Sequence, residues 1–139
     1  MEKLVELYKQ WAGNAPANIE KMAGAGSNRT YYRFTDDKGK SVIGVIGTSR
    51  DENHAFIYLA KHILAVSKDE TRYLQTDLGV TSLFDAIRGG REAGGRYNLA
   101  EQELLRKTIK ELPNFQLRGS RGLDYSYCYP QAEFNEETV

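Results

Sequence analysis

The residues best suited to hold a ligand lie in a glycine-bearing turn that reads AGAGSNR over positions 23–29. Glycine lets backbone N–H groups approach phosphate oxygens closely, and hydroxyl, amide and guanidinium side chains add further donors. The candidate phosphate-binding residues are therefore Gly24, Gly26, Ser27, Asn28 and Arg29. Glycine is also common in hairpin turns for conformational reasons, so a plain turn is the favoured interpretation of this segment by itself. It is neither a Walker loop nor a dinucleotide fingerprint, because no Gly-Lys-Ser/Thr follows and no helix opens after it.

A second candidate segment reads YLQTDLG over positions 73–79 and is followed by the helix-capping residues SLFD at 82–85. A strand that ends in a polar turn before a short helix resembles the hinge of a kinase, where backbone groups hydrogen-bond an adenine edge. A plain strand followed by a capped helix explains these residues equally well. Asp77-Leu78-Gly79 is not interpreted as a metal-binding Asp-Phe-Gly motif, because no catalytic-loop motif precedes it and a helix begins at once.

Glu52 lies near the start of a helix that follows a buried strand, where a kinase has a glutamate that orients a strand lysine. The expected lysine is absent from the strand, which reads VIGVI over positions 42–46. Glu52 also completes a capping box with Ser49, and this simpler role is the favoured one.

Other polar and aromatic residues are assigned structural roles. His54 and His62 lack a metal-ligand spacing, and Cys128 is expected to be a packed thiol. Three tyrosines near the carboxyl end alternate with the period of a strand, so an edge strand explains them better than a ligand-stacking platform does: Tyr125, Tyr127 and Tyr129.

The periodicity of apolar residues predicts the elements that position these segments. Helices are predicted over 2–12, after Ser49 with Phe56, Leu59, Ala60, Ile63 and Leu64 on one face, over 82–88 ending at Gly89-Gly90, and over 100–112 ending at Pro113. Strands are predicted over 19–22, 30–34 and 41–47, with a second hairpin formed by 64–67 and 71–75. This order favours an α+β fold over a parallel α/β sheet.

Composition limits the functional classes. The 139 residues suit one compact domain, and 19 basic residues balance 19 acidic ones, so charge gives no indication of a nucleic-acid partner. No apolar stretch approaches the roughly 18 residues that span a bilayer, and the amino terminus lacks the pattern of a signal peptide. A single cysteine fits a reducing compartment, so a cytoplasmic location is predicted.

Taken in order, the two candidate segments resemble the aminoglycoside phosphotransferase and choline kinase-like family, most closely its bacterial branch of cell-wall amino-sugar kinases. Residues 24–33 match a Gly-x-x-Ser-x-Arg-x-Tyr-x-Arg pattern, and residues 73–83 look like the family's hinge leading into Asp-Leu-Gly. The resemblance covers most of residues 15–112. It implies a protein-kinase-like N-lobe over 1–80, with a five-stranded antiparallel sheet and a packing helix. Residues 81–139 would form the helices after the hinge and the start of an incomplete C-lobe.

The resemblance also implies a site for ATP with Mg²⁺. The glycine turn would cover the phosphates, Glu52 would be the helix glutamate, and Arg29 or Lys40 would replace the strand lysine. The adenine end would be lined by Gln75, Thr76 and Leu78. The link between the helix ending near His62 and the next strand is shorter than in the family.

The implied activity is phosphoryl transfer to a small hydroxyl-bearing substrate, a sugar or amino sugar. The family's catalytic His-x-Asp, its Asn and its metal-binding Asp belong to the second lobe and do not occur in this sequence. These residues alone are therefore expected to bind ATP weakly and to be inactive. The alternative is a non-catalytic module that binds a nucleotide or a protein. Self-association through helix 100–112, or a tail that folds back over it, is also expected, because its leucines would otherwise be exposed.

Overall fold

Residues 1–23, 28–60 and 63–128 are described by the structure, a computed structural model, and they belong to two units. The first unit comprises Met1–Leu78 together with the described tail residues 125–128, and the second comprises Gly79–Asp124. Gly24, Gly26, Ser27, Lys61, His62 and Tyr129 lie outside the described residues.

The first unit is built on two helices and five strands. In chain order they are α1 (Glu2–Ala12), β1 (Asn18–Lys21), β2 (Thr30–Thr35), β3 (Ser41–Ile46), α2 (Arg50–Leu59), β4 (Ile63–Val66) and β5 (Arg72–Thr76). The strands form one sheet in the order β1-β2-β3-β5-β4, and every neighbouring pair is antiparallel. The predicted α+β class and five-stranded antiparallel sheet are confirmed.

One face of the sheet is covered by α1. Because successive side chains of a strand point to opposite faces, Phe34, Val42 and Leu74 share this side. They pack with Leu4, Leu7 and Tyr8 of the helix in one buried cluster. The apolar positions that predicted α1 therefore cover the sheet at Leu4, Leu7 and Tyr8, whereas Trp11, which has the same spacing, is 43% exposed.

The other face is covered by α2, and we call it the α2 face. Its buried residues are Ile43, Val45 and Tyr73, against which Phe56 and Ile57 of the helix pack. The strand register places Tyr31, Arg33 and Gln75 on the same side. This face carries the residues of interest below.

The helix α2 differs from its prediction at its carboxyl end. It stops at Leu59, and Ile63 and Leu64 belong to strand β4 rather than to the buried face of the helix. Leu59 is 46% exposed, whereas Asn53 and Ala55 are buried. The prediction placed the buried face of α2 too far toward its carboxyl end, because it counted only apolar residues and left out Asn53, whose amide is buried.

The second unit contains α3 (Leu83–Ala86), α4 (Arg88–Glu92) and α5 (Leu99–Pro113). Ser82 caps α3 as predicted, by accepting a hydrogen bond from the backbone N–H of Asp85. The predicted stop at Gly89-Gly90 is wrong, because both glycines lie within α4. The backbone N–H of Gly90 donates to the buried carboxylate of Glu101, which also completes a capping box at the start of α5.

Two features at the carboxyl end also differ from prediction. Pro113 is the last residue of α5, but the chain continues into a π-helical turn, Asn114–Arg118, instead of stopping. Tyr125–Tyr127 forms a 3₁₀ turn, not an edge strand. Its Tyr127 stacks on Tyr58 of α2, with ring centroids 4.1 Å apart.

Helix α5 presents apolar side chains to solvent. Leu104, Ile109 and Leu112 are 39%, 64% and 46% exposed. The described part of the tail, residues 125–128, packs on α2 through Tyr127, which stacks on His54 and Tyr58. The predicted cover of α5 by the tail stays a prediction. None of the described helices combines the length and the hydrophobicity that crossing a bilayer requires.

Candidate functional site

The central feature of the α2 face is an ion pair between Arg29, at the start of β2, and Glu52, in the first turn of α2. The Arg29 Nη2 atom lies 2.9 Å from the Glu52 Oε1 atom. The Arg29 guanidinium also lies over the Phe56 ring, 5.0 Å from its centroid. Its side chain is only 14% exposed, so the charge is held against the protein rather than extended into water. The structure thus joins two residues that the sequence singled out separately.

The structure shows where on β3 a lysine would have to lie in order to reach Glu52. On the α2 face, β3 carries Ser41 at its start and then Ile43 and Val45, and the last two are buried in an apolar cluster. A lysine reaching Glu52 from this strand would have to replace one of them. The partner of Glu52 is Arg29, just before β2, whereas Lys40 lies in the exposed β2–β3 turn.

Asn53 fixes the orientation of α2. Its side chain is 1% exposed, and its Nδ2 atom donates to the carbonyl oxygen of Glu70 at 3.0 Å. Its Oδ1 atom accepts a hydrogen bond from Arg29 Nε at 3.4 Å. Gly47 is required beside it, because a Cβ at that position would collide with the Asn53 amide. Burial of an amide is tolerated because both of its ends are paired.

Glu70, in the β4–β5 turn, holds the opposite side of α2. Its carboxylate lies 2.9 Å from His54 Nδ1 and 3.3 Å from Arg50 Nε. It has a positive φ of 55°, which is uncommon for a residue with a Cβ. The hydrogen bond from His54, with help from Arg50, lowers the pKa of Glu70 below its usual value. Beside it, hydrogen bonds from Ser67 and Thr71 hold the pKa of Asp69 well below its usual 3.8.

These lowered pKa values predict how stability depends on pH. A carboxylate whose pKa is lowered by folding contributes stability above its unfolded pKa, and that contribution is lost as pH falls through the folded pKa. We expect the melting temperature to fall as pH decreases below 4.5, the usual pKa of Glu70. Thermal melts from about pH 7 to about pH 3 test this. Glu70→Gln should flatten the profile in that window, and an unchanged profile would contradict the assignment.

Three buried polar atoms on strand β5 have no hydrogen-bond partner among the described residues. One is Arg72 Nε, on the α1 side, and the other two are the Tyr73 hydroxyl and the Gln75 Oε1 atom, two positions apart on the α2 face. Tyr73 is 0% exposed, and its ring packs on Phe56 at 5.4 Å. Burial raises the pKa of Tyr73 to about 12, so the hydroxyl remains a proton donor. Sequence patterns did not single out Tyr73, because an aromatic residue in a strand is usually part of the core.

The hinge-like end of the sheet is held by Asp77. Its carboxylate is 2.6 Å from Arg33 Nε and 2.7 Å from Ser41 Oγ, and its side chain is 6% exposed. Leu78 is 82% exposed, and Gly79 has a φ of 86°. The Asp77 side chain therefore connects the end of β5 to β2 and β3 through its hydrogen bonds.

The structure brings only some of the predicted site residues together. Arg29, Glu52 and Gln75 share the α2 face, and Asn28 is an exposed residue next to Arg29. Strand alternation directs the Thr76 side chain to the α1 side, so any contribution to the α2 face would come from its backbone.

Other concave surfaces lie away from these residues. A cleft of about 410 Å³ lies between α1 and the β4–β5 turn, where Lys3, Lys68 and Arg72 face Glu6 and Asp69. Opposite charges nearly balance in it, and it includes neither Arg29 nor Glu52. Over residues 1–23, 28–60 and 63–128, no three His, Cys, Asp or Glu side chains are grouped so as to hold a metal ion.

Comparisons with known proteins do not extend this description. No protein-family model matches the chain, and a search of curated proteins finds no match. The function proposed below therefore depends on the residues of the α2 face.

Proposed function

We propose that the chain is the nucleotide-binding amino-terminal portion of a small-molecule phosphotransferase, with a protein-kinase-like N-lobe over the first unit. The observation that carries the proposal is the Arg29–Glu52 ion pair, which lies directly after the glycine-bearing turn. The donor would be ATP with Mg²⁺, and the acceptor a hydroxyl group of a sugar or amino sugar. The site would work in the cytoplasm.

The chemistry of phosphoryl transfer suits a cation held in this way. Such reactions depend on positioning and on stabilising charge on the phosphate oxygens, with little covalent chemistry from the protein. A guanidinium is always charged and presents several N–H donors in a planar fork that matches phosphate geometry. Phe56 packs against the Arg29 guanidinium and limits its motion, so less entropy is lost when it contacts a phosphate. Arg29 directly follows the turn 24–28 in the sequence, and the backbone N–H groups of that turn would contact the same phosphates.

The remaining parts of the reaction are assigned to other groups. Mg²⁺ is usually held by one or two carboxylates together with the nucleotide phosphates, so the ion would enter with the nucleotide. When bound, it would neutralise charge on the phosphates. The hinge-like residues after Tyr73 would contact the base, with Gln75 on the α2 face and the backbone of Thr76 and Leu78 at the strand end.

A second candidate function is a protein-interaction module. The exposed apolar side chains of α5 favour it, and they include Leu104, Ile109 and Leu112. Self-association through this helix is the corresponding proposal, since monomers rarely leave large contiguous apolar patches uncovered.

A titration with MgATP separates the two functions. We expect amide NMR signals of Asn28, Arg29, Glu52 and residues 75–78 to shift, with a dissociation constant on the order of millimolar. Arg29→Ala should weaken binding by about tenfold or more, the value of one charge-assisted hydrogen bond. Arg50→Ala is the matched control: it removes an arginine that is 68% exposed and should change affinity by less than about twofold. No shift in any of these amides would contradict the nucleotide-binding function and favour the interaction module.

A further inference from the structure

The Tyr73 hydroxyl is a polar group that the fold does not explain. It is fully buried, it has no hydrogen-bond partner among the described residues, and it lies on the α2 face. A buried hydroxyl without a partner costs about 1–3 kcal/mol, and phenylalanine would fill the same place without that cost. An unpaired group of this kind calls for a partner that is present in another state of the protein.

The surroundings of the hydroxyl indicate which partner. The Tyr73 ring packs on Phe56, and the Arg29 guanidinium lies over that same ring. Burial raises the pKa of the Tyr73 hydroxyl, and the charges of Arg29 and Glu52 act on that pKa in opposite directions. Phe56 therefore contacts both the buried Tyr73 ring and the guanidinium of the ion pair.

We propose that Tyr73 is a positioning residue, whose hydroxyl donates to the Glu52 carboxylate when Arg29 turns from Glu52 to an anionic phosphate ligand. This inference rests on the proposed function and extends it to an exchange of partners within the site. In the structure Glu52 is paired with Arg29 at 2.9 Å, and the Tyr73 hydroxyl has no partner among the described residues. In the ligand-bound state the phosphate takes the guanidinium, and the hydroxyl pairs with the carboxylate.

The exchange of partners avoids the cost of leaving the Glu52 carboxylate without a hydrogen-bond partner. A phosphate that draws Arg29 away leaves a partly buried carboxylate, 39% exposed, without its cation. Leaving a charged group without its partner costs more than leaving a neutral one. The Tyr73 hydroxyl remains protonated because its pKa is raised to about 12, so it can serve as the replacement donor. The hydrogen bond to Glu52 then offsets the cost of the buried hydroxyl, which has no partner among the described residues while Arg29 is paired with Glu52.

The test is a double-mutant cycle on MgATP affinity, measured by NMR titration of the 139-residue chain. Tyr73→Phe should weaken binding by about tenfold, the value of a hydrogen bond to a charged group. In a Glu52→Leu background, which has no acceptor, the same substitution should change affinity by less than about twofold. Tyr32→Phe, which removes a hydroxyl on the α1 side of the sheet, is the matched control and should also have an effect below about twofold.

Folding and function are distinguished by the melting temperature. Tyr73→Phe should leave it unchanged or raised, because the substitution removes an unpaired buried hydroxyl. Unchanged MgATP affinity in Tyr73→Phe would overturn the inference and assign the hydroxyl to a buried water. A full loss that persists in the Glu52→Leu background would overturn it in favour of direct ligand contact. Binding that depends on Arg29 but not on Tyr73 would overturn this inference alone, whereas absence of wild-type binding would overturn the proposed function as well.

Discussion

Replacing Phe34 with alanine is expected to lower the free energy of unfolding by about 4 kcal/mol. Phe34 is 0% exposed, and its ring lies 5.2 Å from that of Tyr8 in α1. Across the strands it is paired with Val42, and the absence of a Cβ at Gly44 makes room for its ring. The truncation would remove apolar contacts and leave a cavity that rigid strands on both sides cannot fill.

Urea denaturation of wild type and Phe34→Ala measures this loss. The matched control is Ile19→Ala, because Ile19 faces Phe34 across the β1–β2 pair but is 39% exposed. It should cost at most about 1 kcal/mol. A loss below about 2 kcal/mol for Phe34→Ala, with an unchanged denaturant dependence, would show that the α1 side is not the main core.

The elements of the sheet were predictable because the signals that define them are local. Helix α1 and strands β1 to β3 follow from the spacing of apolar residues and from the polar turn at 36–40, and these positions agree with the structure. Turn chemistry at Asp69-Glu70 marked the β4–β5 hairpin in the same way. The class of fold follows from the order of such signals.

The candidate site was predictable only in part, because it depends on contacts between distant segments. Arg29 and Glu52 were each visible as charged residues in suitable places, but their pairing requires the packing of α2 on the sheet. Asn53 was missed because its burial is compensated by Glu70 and Arg29, which are far from it in sequence. Tyr73 was missed because the same ring serves the core, and only the folded structure shows that it packs on Phe56, the ring that Arg29 also contacts.

Asp77 is a residue whose structural role could not be predicted from the sequence, although the motif around it suggested a functional one. Its place in Asp-Leu-Gly invites a functional interpretation, which is rejected because no catalytic-loop motif precedes it and a helix follows at once. In the structure its carboxylate ties three strands together, through Arg33 on β2 and Ser41 on β3. No local pattern connects these residues, since they are separated by 44 and 36 positions.

Removing this carboxylate is expected to have the second large effect on stability. Asp77→Ala should lower the melting temperature by on the order of 8 °C, because it removes two charge-assisted interactions and leaves the Arg33 guanidinium without its main partner. The hydrogen bond that Arg33 donates to Asp77 is also the main cause of the raised pKa of Arg33. The loss should be smaller than for a fully buried ion pair, because the Arg33 side chain is 22% exposed.

The comparison of three variants by thermal melts tests whether the unpaired arginine is the cause. Asp37→Ala removes an exposed carboxylate from the β2–β3 turn and should shift the melting temperature by no more than about 2 °C. Adding Arg33→Met to Asp77→Ala should recover part of the loss, since replacing both partners of an ion pair leaves no charge unpaired. If the double variant melts no higher than Asp77→Ala, the loss comes from the Ser41 hydrogen bond and not from Arg33. If Asp77→Ala melts like Asp37→Ala, Asp77 does not hold the hinge-like end of the sheet, and the backbone after β5 owes its position to the strand pairing alone.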